Sequence, residues 1–288
     1  MSIDAVKRIG VVGSGAMGTQ IAAVCALAGY PVKVQDIATE SLERARQVLT
    51  EQLEKRVQKG KLSREQVDGA WSRLSWTTDL GEAVRDADYV IEAIVEKLDA
   101  KRELFARLDE LAPAHAILAT NSSTIVSSKI ADATRRPENV CNMHFFNPVL
   151  VMELVEVVMN PQTSEDTADT AVELCRRIGK TPILLKKEIS GFVANRLLMA
   201  LFKEAMYLYE QGIADFKDID LAATKALNHP MGPFTLMDFT GLDVNYYVMQ
   251  QQYAETGDPA MKPPEILREK FERGEFGRKS GKGFYTYE

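Results

Sequence analysis

The chain has 288 residues, 45% of them hydrophobic and 26% charged, which suits one large or two ordinary domains of soluble globular composition. Its formal net charge of −6 argues against a nucleic-acid partner. No apolar run approaches the ~18 residues of a membrane span, and the N-terminus lacks the pattern of a signal peptide, so we expect a cytoplasmic protein without membrane contact.

The cysteines do not form a recognisable ligand or disulfide pattern. Cys25, Cys141 and Cys175 show neither CxxC nor Cys/His spacing. We therefore expect reduced, buried thiols, and we expect no metal site.

The N-terminal segment predicts a strand–turn–helix–strand unit. Residues 8–12 form a short apolar run that stops at Gly13, and residues 16–30 are apolar at helical spacing. Residues 31–36 have the pattern of a second strand. Because two parallel strands need a helical crossover of this kind, the segment is expected to begin a parallel sheet.

Helical and strand-like segments alternate through the next part of the chain. Residues 40–69 are charged and helical in pattern, and residues 101–112 are helical. Short apolar runs lie at residues 87–95, 116–123, 139–147, 154–158 and 182–187. The alternation predicts a Rossmann-type doubly wound α/β sheet. From about residue 190 the pattern is helical almost to the end, so we predict two domains, 1–188 and an all-helical C-terminal domain, 189–288.

The turn between the first strand and the first helix is the GxGxxG sequence GSGAMG. An acid, Asp36, ends the second strand, and this context is that of a dinucleotide fingerprint. The first glycine permits the tight turn, the second lets the pyrophosphate approach, and the third permits helix–strand packing. A carboxylate at Asp36 would bind the adenosine ribose and repel a 2′-phosphate, so NAD is favoured over NADP. The expected cofactor contacts here are Gly13, Ser14, Gly15, Ala16, Met17, Gly18 and Asp36.

One of the three histidines lies where acid–base chemistry is expected. His144, in the sequence MHFFNP, is near the carboxyl end of a late predicted strand, where open α/β sheets bind their ligands. Oxidation of an alcohol releases a hydroxyl proton, which a histidine can accept near neutral pH. The alternative is a core histidine with satisfied nitrogens. His115 is expected at the surface and His229 in a structural turn between helices.

Taken together, these motifs show that the chain resembles the 3-hydroxyacyl-CoA dehydrogenase family over essentially its whole length. The resemblance is carried by GSGAMG with Asp36, VIEAIVEKLDAK, ATNSST, MHFFNPV with LVEVV, GFVANR, HPMGPF and the terminal GKGFY. It implies the reversible NAD-dependent oxidation of a short-chain (S)-3-hydroxyacyl-CoA, such as 3-hydroxybutyryl-CoA, to the 3-oxoacyl-CoA. It also implies an acyl-CoA thioester partner and a homodimer formed through the second domain.

The resemblance assigns catalytic roles to matching positions. His144 corresponds to the catalytic base and Glu156 to its acidic partner. Ser123 corresponds to the serine that binds substrate beside the nicotinamide, and Asn195 to the asparagine that helps hold the substrate in a cleft between the domains. Relatives often have Asn-Thr-Ser-Ser where this chain has Asn-Ser-Ser-Thr, so Ser122 is a competing hydroxyl.

Further cofactor contacts follow from the same resemblance. Glu96, Lys101 and Asn147 are implied to contact the nicotinamide half of NAD, together with Ser123. Lys282, in the terminal GKGFY, is implied to reach the cofactor from the end of the chain.

Coenzyme A carries phosphates, and a basic segment follows the second predicted strand. The resemblance implies that this region contacts CoA, through at least one of Lys55 and Lys59, and the other interpretation is a solvated helix face. Two rival functions share parts of the pattern: an NAD-linked dehydrogenase of a CoA-free hydroxy acid such as gulonate, and a non-enzymatic crystallin-like role. The basic segment favours a CoA ester, and the complete set of catalytic residues argues against a purely structural role.

Overall fold

The computed structural model of the protein describes residues 2–287, without the side chains of residues 255, 256 and 260. It divides into two compact units, Met1–Phe192 and Val193–Glu288, whereas the sequence placed the boundary after residue 188. The first unit is built on a sheet and the second is helical. The predicted fold class, a Rossmann-type doubly wound sheet followed by a helical domain, is confirmed.

One sheet of eight strands organises the first unit, as far as residues 2–192 are described. The strands are β1 (Ile9–Val12), β2 (Val32–Gln35), β3 (Leu74–Thr77), β4 (Tyr89–Glu92), β5 (Ile117–Thr120), β6 (Val140–Phe145), β7 (Leu154–Met159) and β8 (Thr181–Leu185). Their order in the sheet is β3-β2-β1-β4-β5-β6-β7-β8. All neighbouring pairs are parallel except β6 and β7, which are antiparallel. The strand order reverses between β1 and β4, and such a switch point opens a crevice at the carboxyl ends of the strands.

In the described part of the first unit, seven α-helices accompany the sheet. They are α1 (Ala16–Leu27), α2 (Thr39–Gln58), α3 (Arg64–Arg73), α4 (Leu80–Val84), α5 (Leu98–Leu111), α6 (Ser128–Ala131) and α7 (Glu165–Arg177). The charged segment after β2 is two helices, because Gly60 adopts a φ of 64° and Ser63 begins α3 with a capping box to Gln66. Strand β3 was not predicted, and its side chains are only partly buried, so its apolar alternation is weak.

The central strands are buried on both faces, as expected for a parallel sheet covered by helices. The three cysteines are free and buried within this unit, as the sequence predicted. Burial raises the pKa of Cys25 and of Cys141 to about 12, so these thiols stay protonated and unreactive near neutral pH.

The second unit is a helical domain. Its helices are α8 (Ala194–Glu210), α9 (Phe216–Lys225), α10 (Pro233–Thr240), α11 (Leu242–Thr256) and α12 (Glu265–Glu272). Phe202, Phe234 and Met237 are fully buried in its core, against the aromatic rings of Tyr209 and Phe284. No helix that the structure describes is long and apolar enough to cross a membrane.

A buried carboxylate anchors the C-terminal segment of the chain to this domain through hydrogen bonds. Asp238, 1% exposed, accepts hydrogen bonds from the backbone amides of Phe284 (2.9 Å) and Tyr285 (2.8 Å) and from the hydroxyl of Tyr287 (2.9 Å). A Cβ atom at Gly283 would overlap the carboxylate of Asp238. The terminal GKGFY sequence therefore has a structural role within the second unit.

Candidate active site

The glycine-rich turn contains two glycines that the fold requires and one that it does not. Gly13 has a φ of 101°, and a Cβ atom there would lie 2.5 Å from the carbonyl oxygen of Ala93. A Cβ atom at Gly18 would overlap the carbonyl oxygen of Gly13. At Gly15, by contrast, φ is −65° and a Cβ atom would meet nothing within 4 Å. The space beside Gly15 is therefore open to a ligand.

Helix α1 begins directly at this open space. Its N-cap residue is Gly15, which offers no side-chain cap, and Ala16 and Met17 are the first residues of its first turn. Amide groups of a first helical turn have no partner within the helix, and the helix dipole makes this end positive. The turn is therefore suited to binding the pyrophosphate of a dinucleotide.

Asp36 lies beside the same turn. Its Oδ2 atom accepts hydrogen bonds from both the backbone amide and the hydroxyl of Ser14, each at 2.8 Å. A cavity of about 570 Å³ adjoins it. Residues from distant segments line this cavity, including Gly13, Gly15, Asp36, Ile37, Thr78, Ile94 and Arg107. Thr78 and Arg107 were not predicted from the sequence, because only the fold brings them next to the fingerprint.

Lys101 lies in the interior and bonds two carboxylates. Its side chain is 1% exposed, and Nζ lies 2.6 Å from Glu92 and 3.3 Å from Glu96. Glu92 is fully buried and also accepts hydrogen bonds from the hydroxyl of Thr120 (2.6 Å) and the amide of Ile94 (2.7 Å). The sequence did not indicate Glu92, whose side-chain partners Lys101 and Thr120 come from two other segments.

Glu96 links this network to the loop that follows β5. It accepts hydrogen bonds from the hydroxyls of Ser122 and Thr124. Burial by itself raises the pKa of Glu96, but Lys101 and these hydroxyls outweigh it and hold the pKa of this carboxyl below its usual range. Glu96 is therefore ionised at neutral pH.

The two neighbouring serines of this loop have different environments. Ser122 is 3% exposed, donates to Glu96 and accepts a hydrogen bond from the amide of Ile125 at 2.8 Å. Ser123 is partly exposed, and its hydroxyl bonds no residue that the structure describes. Buried Asn142 holds the loop by bonding the amide of Ser127 and the carbonyl of Ile125. Of the two serines, Ser123 has the hydroxyl that is available to a ligand.

His144 and Glu156 form a buried pair. The antiparallel register of β6 and β7 places the two residues directly opposite each other. Nδ1 of His144 lies 2.8 Å from Oε2 of Glu156, with 6% and 0% of the side chains exposed. A carboxylate acceptor places the ring proton on Nδ1, which leaves the lone pair of Nε2 free. Within residues 2–287, Nε2 has no hydrogen-bond partner, so the ring can accept a proton from a ligand.

The other predicted residues are placed as follows. Asn147 is exposed, two residues after the end of β6. Lys55 and Lys59 are exposed at the C-terminal end of α2, without an ion pair to a described residue. In the second unit, Asn195 is in the first turn of α8, and Lys282 is paired with Glu275 at 2.7 Å with 60% of its side chain exposed.

Comparisons with known proteins match both units. Residues 8–189 match the family model "3-hydroxyacyl-CoA dehydrogenase, NAD binding domain", and residues 191–287 match "3-hydroxyacyl-CoA dehydrogenase, C-terminal domain". The chain is 41% identical to a probable 3-hydroxybutyryl-CoA dehydrogenase of Bacillus subtilis, over 98% of each protein. It is 38% identical to human mitochondrial hydroxyacyl-coenzyme A dehydrogenase, over 98% of this chain and 91% of that protein. The crystal structure of (S)-3-hydroxybutyryl-CoA dehydrogenase from Ralstonia eutropha has a TM-score of 0.93 at 35% identity, and the match covers 99% of this chain and 100% of that one.

Proposed function

Because the chain belongs to the 3-hydroxyacyl-CoA dehydrogenase family and is an NAD-dependent enzyme of that family, we propose that it interconverts (S)-3-hydroxybutyryl-CoA and acetoacetyl-CoA with His144 as acid–base group. The observation that carries this proposal is the buried pair of His144 and Glu156, which leaves Nε2 free. Relatives named 3-hydroxybutyryl-CoA dehydrogenases support the short acyl chain.

The residues of the first unit fit the cofactor. The open space beside Gly15 accommodates a pyrophosphate, and Asp36 offers a carboxylate to the adenosine ribose. This carboxylate supports NAD over NADP. For the nicotinamide half we propose, as the family resemblance implies, contacts from Glu96, Lys101, Ser123 and Asn147. The same resemblance implies that Lys282 reaches the cofactor. Since Lys101 is buried between two carboxylates, its contribution would come through its charge and its hold on Glu96.

The mechanism follows from the protonation of His144. NAD, when bound, supplies the hydride acceptor. In the oxidation direction Nε2 of His144 takes the proton of the 3-hydroxyl group, while Nδ1 keeps its hydrogen bond to Glu156. The carboxylate stabilises the imidazolium that forms. In reduction the imidazolium returns the proton to the 3-oxo oxygen. We assign Ser123 and Asn195 to orienting the acyl group and polarising its carbonyl.

A homodimer completes the proposal. The second unit exposes several large apolar side chains, among them Leu197, Tyr207, Ile213, Leu227 and Phe239. Other large apolar side chains are buried within the unit itself, for example that of Phe202. The exposed remainder supports self-association, and light scattering would then report twice the chain mass of 32.1 kDa.

The reaction is tested by mixing the protein with acetoacetyl-CoA and following the loss of reduced-nicotinamide absorbance. NADH and NADPH are compared, and free acetoacetate is the control. We expect oxidation of NADH with the thioester alone. Activity with free hydroxy acids such as gulonate, or no activity with any substrate, would contradict the proposed substrate and favour the rival functions.

The role of His144 is tested by His144→Ala. Acid–base catalysis contributes roughly 10²- to 10⁴-fold, so we expect kcat to fall by at least about 10²-fold. Binding of NADH, measured by fluorescence titration, should stay nearly unchanged. The matched control is His115→Ala, because His115 is half-exposed and pairs with Asp88, which directly precedes β4 and so lies at the opposite end of the strands from their carboxyl ends. Near-normal turnover of His144→Ala would refute the assigned role.

A further inference from the structure

The last residue of the first unit has an unusual backbone. Phe192 adopts a φ of 49°, and the preceding Gly191 adopts a φ of 77°. A left-handed conformation is strained for a bulky residue, and it persists only where the surrounding structure holds it. Phe192 is nevertheless fully buried. Its conformation therefore serves to place its side chain.

The ring of Phe192 packs against the imidazole of His144. The two ring centroids are 5.4 Å apart, with an interplanar angle of 52°. Phe146 also contacts the imidazole, at 4.5 Å and 57°. Phe192 is itself anchored in a small apolar cluster formed by residues of β7, β8 and the loop after β5, namely Val158, Leu185, Val126 and Ile183.

The backbone around Phe192 is tied to the same loop. The amide of Phe192 donates to the carbonyl of Ile189 at 3.1 Å, which closes a turn. Glu188, just before this turn, accepts a hydrogen bond from the amide of Ser128 at 2.8 Å and from the hydroxyl of Ser127 at 3.3 Å. The segment 188–192 is therefore closed by an internal turn and joined through Glu188 to Ser127 and Ser128.

The hydrogen bond to Glu156 fixes one atom of the imidazole but leaves the ring free to tilt about that bond. Aromatic contacts with the ring restrict the tilt, and so fix the direction of Nε2. We propose that Phe192 is a positioning residue for His144, which holds the imidazole in its reactive orientation and keeps water from that part of the ring. This inference rests on the proposed acid–base role of His144.

The first test compares Phe192→Leu with Phe105→Leu. Both residues are fully buried phenylalanines of the first unit, but Phe105 lies on α5 in a separate apolar cluster. We expect similar losses in melting temperature for the two variants. Only Phe192→Leu should lower kcat, by roughly 10- to 100-fold, because misplacing a reacting group by about 1 Å can cost 10²-fold. The KM values for NADH and for the thioester should stay within about twofold of the wild type.

A spectroscopic measurement reports on the imidazole directly. The chain has only three histidines, so their ring nitrogens can be resolved by NMR and assigned with His144→Ala. In Phe192→Leu the His144 nitrogen signals should broaden or shift, while those of His115 and His229 stay in place. If Phe192→Leu does not fold, Phe192→Met, which fills the space with a flexible chain, carries the same expectations.

The double variant separates this inference from the proposed function. This variant combines Phe192→Leu with His144→Ala. If Phe192 acts through His144, the double variant should have the same residual rate as His144→Ala alone. Wild-type kcat and unchanged His144 signals in Phe192→Leu, with His144→Ala inactive, would overturn the role of Phe192 alone. Full activity of His144→Ala would instead overturn the proposed acid–base group.

Discussion

Replacing Gly15 by alanine separates the cofactor-binding role of the glycine-rich turn from its role in folding. The backbone of Gly15 has a φ of −65°, which alanine adopts without strain, and the added Cβ atom would meet nothing within 4 Å. Gly18 is the matched comparison, because a Cβ atom there would overlap the carbonyl oxygen of Gly13. Both substitutions add one methyl group to the same turn.

The expected change in stability for Gly15→Ala is small. Alanine reduces the entropy of the unfolded chain, which stabilises by about 0.4–1 kcal/mol. Alanine is also a poorer N-cap than glycine, which costs roughly 0.5–1 kcal/mol. The two effects offset each other, so the melting temperature should change by less than about 2 °C. Gly18→Ala should lose about 1–3 kcal/mol, because the backbone of the turn has to move.

In contrast to its small effect on stability, Gly15→Ala should weaken NADH binding strongly. The methyl group would occupy the space beside the first turn of α1 and displace the pyrophosphate from a backbone amide. A hydrogen bond to a charged group contributes about 1.5–3 kcal/mol, so the dissociation constant should rise roughly 10- to 100-fold. Calorimetry or NADH fluorescence measures this change, and circular dichroism on the cofactor-free protein measures the melting temperature.

Two outcomes would refute the reasoning. Wild-type affinity for NADH in a fully folded Gly15→Ala protein would mean that the pyrophosphate does not bind beside Gly15. A loss of stability equal to that of Gly18→Ala would mean that the space beside Gly15 is filled in the folded chain.

Two further predictions concern other parts of the molecule. Replacing Lys55 and Lys59 together by glutamate should raise the KM for the CoA ester about tenfold and leave the KM for NADH unchanged, because exposed ion pairs contribute up to about 1 kcal/mol each. The control replaces Arg44 and Arg46 on the same helix by glutamate, which gives the same charge change. An equal rise in KM for the control would contradict a specific contact at Lys55 and Lys59. Gly283→Ala should destabilise the second unit by about 1–3 kcal/mol in urea unfolding, because its Cβ atom overlaps the carboxylate of Asp238, and an unchanged midpoint would contradict this close packing.

The sequence alone determined the features that depend on neighbouring residues or on a continuous motif. The alternation of apolar runs and helical segments predicted the doubly wound sheet and the helical domain that follows it. The strand, glycines and helix of the fingerprint are contiguous, so their local geometry could be derived without the fold. Edge strand β3 escaped prediction because its side chains are only half-buried and carry little periodic signal.

The tertiary structure decided which polar groups are available to a ligand. Ser122 and Ser123 are indistinguishable by residue type, but only Ser122 is bound by Glu96, from a segment 26 residues away. Lysine is a residue type usually found at the surface, but Lys101 is buried because Glu92 balances its charge. The contact of Phe192 with His144 likewise depends on a left-handed turn far along the chain. Burial and pairing of this kind arise from segments that meet only in the folded chain, so no local pattern contains them.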